Sequence, residues 1–222
     1  MNLLWCITGA GHLIEEIFKI LNNNLVKTCA ISNAGEEIIR MYGLKLNIEE
    51  KIFEREQGKS FPFCGRVSKK EYDKIIVAPC TSNTIAKVAN GISDTLITNI
   101  ITQGLKSGID VYVFPTDIEE CISKIPITID YEKCKFNSEC FECEPLKKCP
   151  SNAIYISNLI RINLLKCDAC KICIKFCNYG AISFGKEIYV KPRKIDIENI
   201  KKIEEQGVKI LKNIDEILKL IK

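Results

Sequence analysis

Residues 78–96 read APCTSNTIAKVANGISDTL, and this stretch indicates a strand that ends in a ligand-binding loop. The apolar run Ile75–Ala78 is typical of a buried strand, and Pro79 ends it because proline lacks the N–H that a strand ladder needs. Hydroxyl and amide side chains follow over Thr81–Thr84 and lead into a helix, and Asp94 is predicted to cap the helix after that one. Such side chains can hydrogen-bond a polyhydroxy chain that carries a flat heteroaromatic ring.

Outward from this stretch, residues 1–130 alternate buried strands with helices. The predicted strands are Leu3–Ile7, Val26–Ile31, Ile75–Ala78 and Ile109–Phe114, with helices over His12–Leu21 and from Ser32 to Tyr42. Residues 47–70 are polar and are predicted to be irregular. This alternation is typical of a parallel sheet covered by helices on both faces. The predicted fold class is therefore α/β, with a Rossmann-like parallel sheet.

Two of the predicted strands open into small polar loops, Thr8–Gly11 and Ser32–Gly35. A dinucleotide site is excluded, because Ile14 stands where G-x-G-x-x-G has its third glycine and the second strand ends in Ser32 and Asn33 rather than an acid. Two loops that each open a helix suit one terminal phosphate, because helix N-termini offer free N–H groups and positive potential. Two ordinary strand–helix turns are the alternative, and these residues alone do not decide between them.

The chain has 13 cysteines and a single histidine, His12, so multi-histidine metal sites are excluded. Glycine and glutamate residues interrupt the apolar segment Met1–Leu21, so it is not expected to be a secretory signal, and the protein is predicted to be cytoplasmic. No apolar run reaches the roughly 18 residues of a membrane helix. Abundant cysteines in the cytosol bind metal more often than they form disulfides.

Eight of the cysteines lie between residues 134 and 177, in two sets of four. One set has the spacing C-x2-C-x2-C-x3-C of bacterial 4Fe–4S ferredoxins and consists of Cys167, Cys170, Cys173 and Cys177. The earlier set keeps the central C-x2-C but has five residues in each outer gap, and it consists of Cys134, Cys140, Cys143 and Cys149. The spacing predicts two iron–sulfur clusters in a small α+β module of the bacterial ferredoxin type.

An internal repeat supports this pairing, because Cys149–Ile154 aligns with Cys177–Ile182, 28 residues later. Each half is predicted to contain a cysteine loop, a short helical turn and a strand. In two-cluster ferredoxins the last cysteine of each run ligates the other cluster. One cluster is therefore predicted to be held by Cys134, Cys140, Cys143 and Cys177, and the other by Cys167, Cys170, Cys173 and Cys149. Two structural zinc sites are the alternative, since paired C-x2-C units also bind zinc.

The formal net charge of +4 assumes neutral cysteines. An oxidised 4Fe–4S cluster with four thiolates carries about two negative charges, so two clusters would cancel this excess. The lysines after residue 190 are more simply the solvated face of a terminal element. Neither feature indicates a nucleic-acid partner.

Residues 78–96 resemble the motif A-P-x-T-x-N-T-x-A-K-x-A-x-G-I-x-D-T-L of the flavoprotein family that includes phosphopantothenoylcysteine decarboxylase and flavin prenyltransferase. Within that family, Ile7–His12, Ser32–Glu37 and Ser60–Arg66 are similar to the archaeoflavoprotein branch, which includes dihydromethanopterin reductase (acceptor). The decarboxylases rely on a further histidine and a P-x-M-N-x-x-M-W segment, and this chain has neither. Decarboxylation is therefore not expected.

The resemblance implies bound FMN, with its phosphate near Thr8–Gly11 and Ser32–Ala34 and its flavin near Pro79–Thr84. It also implies a homo-oligomer with FMN close to a subunit contact. The implied cofactor-binding residues are Thr8, Gly9, Ala10, Gly11, His12, Ser32, Asn33, Ala34, Ala78, Pro79, Cys80, Thr81, Ser82, Asn83, Thr84 and Lys87. Other roles stay open for three of them: Cys80 as a small buried thiol, His12 as a helix cap and Lys87 as a solvated lysine.

The last 30 or so residues allow two interpretations. Their apolar spacing suits one long amphipathic helix, but Gln206-Gly207-Val208 looks like a helix end followed by a short strand. The archaeoflavoprotein branch ends in a similar helix–strand–helix. On that interpretation, residues 1–130 and 190–222 form one FMN-binding domain, and the ferredoxin domain is inserted over residues 131–189.

Iron–sulfur clusters carry one electron at a time, whereas FMN carries one or two. The sequence therefore predicts a reductase that takes electrons from an external donor protein through two clusters to FMN and then to a small substrate. The resemblance implies a pterin substrate, dihydromethanopterin, reduced to tetrahydromethanopterin. A pure electron-transfer module without a small substrate is the alternative, and flavin prenyltransfer leaves eight cysteines unexplained. No catalytic residue and no membrane partner is predicted.

Overall fold

A computed structural model describes residues 2–23 and 25–221 of the chain. They form two units. The first contains Met1–Ile38, Lys45–Cys121 and Tyr189–Lys222, and the second contains Ile39–Leu44 and Ile122–Ile188. In the described ranges, no helix is long and apolar enough to cross a bilayer.

The chain begins with strands and helices that largely alternate. In order they are β1 (Leu3–Ile7), α1 (Ile14–Leu21), β2 (Thr28–Ile31), α2 (Asn33–Met41), β3 (Glu50–Phe53), α3 (Cys64–Ser68), β4 (Lys74–Cys80), α4 (Ser82–Ala89), α5 (Leu96–Lys106) and β5 (Asp110–Pro115). Shorter elements follow: β6 (Cys121–Ile125), β7 (Thr128–Ile129), α6 (Glu144–Lys148), β8 (Ile154–Ser157), β9 (Leu159–Ile162), α7 (Ile172–Phe176), β10 (Ile182–Ser183) and β11 (Lys186–Val190). The tail forms α8 (Lys194–Glu205), β12 (Lys209–Ile210) and α9 (Ile214–Ile221).

The first unit is built on a parallel sheet, six-stranded within the described residues, in the order β12-β5-β4-β1-β2-β3. The order reverses between β1 and β4, whose registers pair Cys6 with Val77. In open α/β sheets, ligands bind outside the carboxyl ends of the strands at such a switch point. The predicted α/β class and parallel sheet are confirmed, and Thr8 and Thr81 follow the two strands at this point.

The central strands are buried on both faces, which explains why they read as unbroken apolar runs. All five residues of β1 are at most 3% exposed. Helix α5 lies close against the sheet through Gly104, where an added Cβ would be 2.5 Å from Ile75 Cδ1. The core of this unit therefore tolerates little added volume.

Three local predictions in this unit are wrong. Pro79 does not end its strand, because β4 continues to Cys80, which still pairs with Pro115 after an irregularity that follows Val77. Residues 47–70 are not irregular throughout, because Glu50–Phe53 forms edge strand β3, which pairs with β2 and is partly exposed. An edge strand whose faces are solvated lacks the apolar run by which a central strand is recognised in a sequence. Asp94 does not cap the next helix: Thr95 caps α5, accepting from the Thr98 N–H at 3.3 Å.

The tail is a helix–strand–helix, as predicted, and not one long helix. Gly207 has φ +98°, a conformation that favours glycine, and it follows the end of α8. The chain then enters β12, which adds to the sheet edge with Lys209 opposite Tyr112. The sheet thus needs residues from both ends of the chain.

The second unit contains small antiparallel pairs, β7 with β10 and β8 with β9. Its core combines aliphatic side chains with cysteines: Ile154, Ile160 and Ile182 pack with Cys167 and Cys173. The predicted strands of the repeat are confirmed, since β8 begins at Ile154 and β10 at Ile182.

Candidate functional site

Thr8 is buried at the switch point, just after the carboxyl end of β1. Its hydroxyl donates to the Pro79 carbonyl at 2.9 Å and accepts from the Thr81 N–H at 2.9 Å. One side chain therefore ties the loop after β1 to the polar loop after β4. The structure brings these two predicted segments together.

Replacing Thr8 tests this bond directly. We expect Thr8→Val to lower the free energy of unfolding of the first unit by about 1–3 kcal/mol, because it leaves the Thr81 N–H without its acceptor. The readout is urea unfolding followed by fluorescence of Trp5, the single tryptophan, which lies in β1. Thr8→Ser keeps the hydroxyl and is expected to lower the free energy of unfolding by clearly less. Equal losses in both variants would contradict this role.

The loops after β1 and β2 lie against each other. A Cβ added at Gly9 would be 2.6 Å from Ala34 Cβ, so only glycine fits there without movement. Ser32 caps α2 by accepting from the Gly35 N–H at 2.9 Å. The Asn33 N–H donates to the Glu54 carboxylate at 3.2 Å, so this first N–H of α2 already has an anionic partner.

The polar loop after β4 begins α4. Thr81 accepts from the Thr84 N–H at 3.2 Å, which caps the helix. Asn83 is exposed and Ser82 half-buried, so their side chains are open to a ligand.

Several predicted site residues have buried side chains that are not open to a ligand: Thr8, Ala10, Ala78, Pro79, Cys80 and Thr84. The Cys80 thiol lies in the hydrophobic core, and burial raises its pKa. This placement agrees with the small buried thiol rather than a ring contact.

Lys87 is engaged elsewhere. Its ammonium pairs with the Asp94 carboxylate at 2.8 Å. The prediction that Lys87 contacts the cofactor gains no support from this geometry, because the charge of the lysine already has a partner.

His12 lies in a group of polar side chains beyond the carboxyl edge. Burial lowers the pKa of its imidazole, while the charges of Glu16 and Asp117 act in the opposite direction. The Cys121 sulfur lies 3.9 Å from His12 Nδ1. Cys121 is only partly buried.

Sequence reasoning missed Thr116 and Asp117, which follow β5 at the same edge. The Thr116 N–H and hydroxyl donate to the Cys80 carbonyl at 3.1 and 3.3 Å. The signal was available, because Pro115 ends β5 and polar residues follow, just as Pro79 precedes Thr81.

The second unit gathers one of the two predicted cysteine quartets around Cys143. Burial raises the pKa of the Cys143 thiol, and the neighbouring thiols raise it further. Those neighbours are Cys140, Cys134 and Cys177, the predicted crossed set. All four cysteines line a space of about 470 Å³ that is partly open to solvent.

The other quartet gathers in the same way around Cys173. Burial raises the pKa of the Cys173 thiol to about 11, and nearby thiols contribute. These are Cys167, Cys170 and Cys149. For Cys149, burial raises the pKa, but hydrogen bonds from Ser151, Ala153 and Ile154 outweigh it and leave a net lowering. A lowered thiol pKa favours the thiolate that ligates metal.

The two halves of the repeat place matching donors on their last cysteines. The Ala153 N–H donates to Cys149 Sγ at 3.3 Å, and the Ala181 N–H donates to Cys177 Sγ at 3.4 Å. The loop of the other quartet adds a bond from the Ala169 N–H to Cys167 Sγ at 3.4 Å. Donors of this kind are what the sulfurs of iron–sulfur clusters accept.

Among the described residues, no three His, Cys, Asp or Glu side chains surround a point that could hold a single metal ion. A four-iron cluster takes one thiolate at each iron, so its ligands enclose a volume rather than one point. Both quartets stay predicted ligands. The remaining cysteines of the first unit, Cys6, Cys29 and Cys64, are buried, and burial raises the pKa of each thiol.

Comparison with known proteins adds a family and two full-length relatives. Residues 1–128 match the family described as Flavoprotein. The whole chain is 39% identical to dihydromethanopterin reductase (acceptor) of Methanosarcina mazei, over 99% of this chain and 98% of that protein. It is 43% identical to the protein of the same name from Methanocaldococcus jannaschii, over 98% and 94%.

Among solved structures, the chain is similar to DmrB from Burkholderia xenovorans in complex with FMN, described as a cubic protein cage for redox transfer. The TM-score is 0.64 at 22% identity, over 99% of this chain and 92% of that one. The likeness is one of fold.

Proposed function

The chain belongs to the Flavoprotein family, and from that premise we propose that it is an iron–sulfur flavoprotein reductase that converts dihydromethanopterin to tetrahydromethanopterin with electrons from an external donor protein. It is an oxidoreductase, as its relatives at 39% and 43% identity over nearly the whole chain are by name. The proposed cofactors are FMN in the first unit and two 4Fe–4S clusters in the second.

The carboxyl edge of the sheet suits FMN. Gly9 lets the loop after β1 pack closely against Ala34, and this loop opens α1 without a side-chain cap, so N–H groups there are free for an anion. Because Glu54 already accepts the Asn33 N–H, and because both the N–H and the hydroxyl of Thr8 bond Pro79, the proposed phosphate contacts fall to Gly9–Gly11 and to the Ser32 hydroxyl. The side chains of Asn83, which is exposed, and Ser82, which is half-buried, are the proposed hydrogen-bond partners of the flavin.

The observation that carries the proposal is the gathering of two crossed cysteine quartets on the same chain as this sheet edge. Each quartet contains the last cysteine of the other run, the arrangement expected of a two-cluster ferredoxin. When bound, one-electron clusters and a flavin able to carry two electrons together allow a one-electron donor to serve a substrate that accepts a hydride. The cysteines would bind the clusters, and the sheet loops would orient the pterin.

The decisive experiment follows the flavin absorption band of anaerobically reduced protein after mixing with dihydromethanopterin. We expect rapid, stoichiometric reoxidation with tetrahydromethanopterin formed. Mixing with tetrahydromethanopterin is the control and should leave the band unchanged. A flavin that stays reduced with the pterin, yet is reoxidised by a ferredoxin, would contradict the reductase and favour an electron-transfer module.

Iron and sulfide analysis of the anaerobic protein separates clusters from the zinc alternative. We expect iron and acid-labile sulfide in equal amounts. Stoichiometric zinc without sulfide would contradict the cluster proposal while leaving the FMN site untouched.

We also propose that the chain forms a homo-oligomer with FMN near a subunit contact. The support is the family resemblance, together with the description of DmrB as a cubic cage. Light scattering of the FMN-loaded protein checks it, and a monomer at micromolar concentration would contradict it.

A further inference from the structure

The two halves of the cysteine repeat differ at three positions between the ligating cysteine and the alanine, and the middle one carries a hydroxyl in both halves. Ser151 lies two residues after Cys149, and Tyr179 lies two residues after Cys177. The alanine N–H bonds to the two sulfurs match within 0.1 Å, at 3.3 and 3.4 Å, so the backbones of the halves are alike here. The two hydroxyl side chains at this position bond different partners.

The Ser151 side chain is turned toward its cysteine. Its Oγ lies 3.5 Å from Cys149 Sγ. A thiolate that ligates iron carries no proton, so in the loaded protein the hydroxyl must be the donor. Cys149 then accepts this bond in addition to the one from Ala153.

Tyr179 cannot do the same for Cys177. Its hydroxyl donates to the Glu139 carbonyl at 3.2 Å, away from the sulfur. Cys177 accepts from the Ala181 N–H, and the hydroxyl at position 179 is committed to another residue.

A donor to a ligating sulfur stabilises the reduced cluster more than the oxidised one, because reduction adds negative charge. We propose that the Ser151 hydroxyl raises the reduction potential of the cluster held by Cys149, Cys167, Cys170 and Cys173, and that Tyr179 leaves the other cluster without the corresponding donor. This inference rests on the proposed function, since it presupposes that both clusters are present.

Asp168 offers an internal comparison at the same quartet. Its carboxylate accepts from the Cys170 N–H at 3.2 Å and so places a negative charge beside this cluster. The residue is exposed, so solvent screens that charge. Removing the Asp168 charge should raise the reduction potential of this cluster, whereas removing the Ser151 hydroxyl should lower it.

The test is an anaerobic redox titration of full-length protein, monitored by electron paramagnetic resonance. We expect Ser151→Ala to lower one midpoint potential and Asp168→Asn to raise that same one. Tyr179→Ser supplies a hydroxyl that can reach Cys177 and should raise the midpoint potential of the other cluster. Ser151→Thr keeps the hydroxyl and should retain the wild-type value.

The inference is overturned if Asp168→Asn shifts a midpoint potential but Ser151→Ala and Tyr179→Ser leave both midpoint potentials unchanged. Equal shifts in Ser151→Ala and Ser151→Thr would also overturn it, because they would reflect packing rather than the hydroxyl. Wild-type protein that contains no 4Fe–4S cluster by iron, sulfide and resonance signal would instead overturn the proposed cluster content, and this inference with it.

Discussion

Cys170→Ser is expected to abolish turnover driven by an external one-electron donor while leaving FMN bound. Cys170 is the exposed member of its quartet, beside Cys149, Cys167 and Cys173. Serine keeps the size of the side chain but replaces a soft thiolate with a hydroxyl that is a far weaker ligand for iron–sulfur clusters. The loss should be complete for donor-driven turnover, because the route from the donor is broken.

Three readouts make this result specific. FMN released on denaturation should equal wild type, iron content should fall, and pterin reduction should persist when the flavin is reduced by light instead of by the donor. Cys64→Ala is the matched control, since Cys64 lies outside both quartets. Loss of FMN together with the cluster would contradict the assignment of the two cofactors to separate units.

Gly9→Ala is expected to weaken FMN binding by about ten- to a hundredfold. The new Cβ would be 2.6 Å from Ala34 Cβ, so the loops after β1 and β2 must separate. Overpacking of this kind costs about 1–3 kcal/mol, and each 1.4 kcal/mol lost from binding is a factor of ten. Fluorescence titration of the apoprotein with FMN measures the affinity.

A second substitution separates this clash from a general effect on folding. Ala34→Gly removes the atom that the new methyl group meets, so Gly9→Ala/Ala34→Gly should regain much of the lost affinity. Gly65→Ala is the control, because an added Cβ there meets nothing within 4 Å. Failure of the double variant to recover, with Gly65→Ala normal, would show that this contact does not shape the FMN site.

Much of the candidate site was predictable because its signals are local. Thr81 caps the helix that follows β4, and the polar run that begins there makes this cap visible from composition alone. The crossed quartets stay a prediction with a related basis: the repeat has a fixed offset, and Cys149 and Cys177 occupy equivalent places in it.

Other features depend on residues far apart in the chain. The edge strand Glu50–Phe53 is stabilised by its pairing with β2 rather than by its own apolar pattern. Asp94 looks like a helix cap, but Thr95 takes that place and Asp94 pairs with Lys87. Such choices depend on neighbours that a short window of sequence does not contain.

The sequence by itself determined the central strands and main helices of the first unit, the tail's helix–strand–helix and the division of the eight clustered cysteines into two sets along the chain, because spacing, periodicity and a glycine cap encode these over short distances. Only the tertiary structure decided which polar groups meet at the sheet edge. Thr8 bonds Thr81 across 73 positions of sequence, and Thr116 joins them through the Cys80 carbonyl. Parallel strands bring their carboxyl ends together whatever their separation in the chain, so these contacts exist only once the sheet has formed.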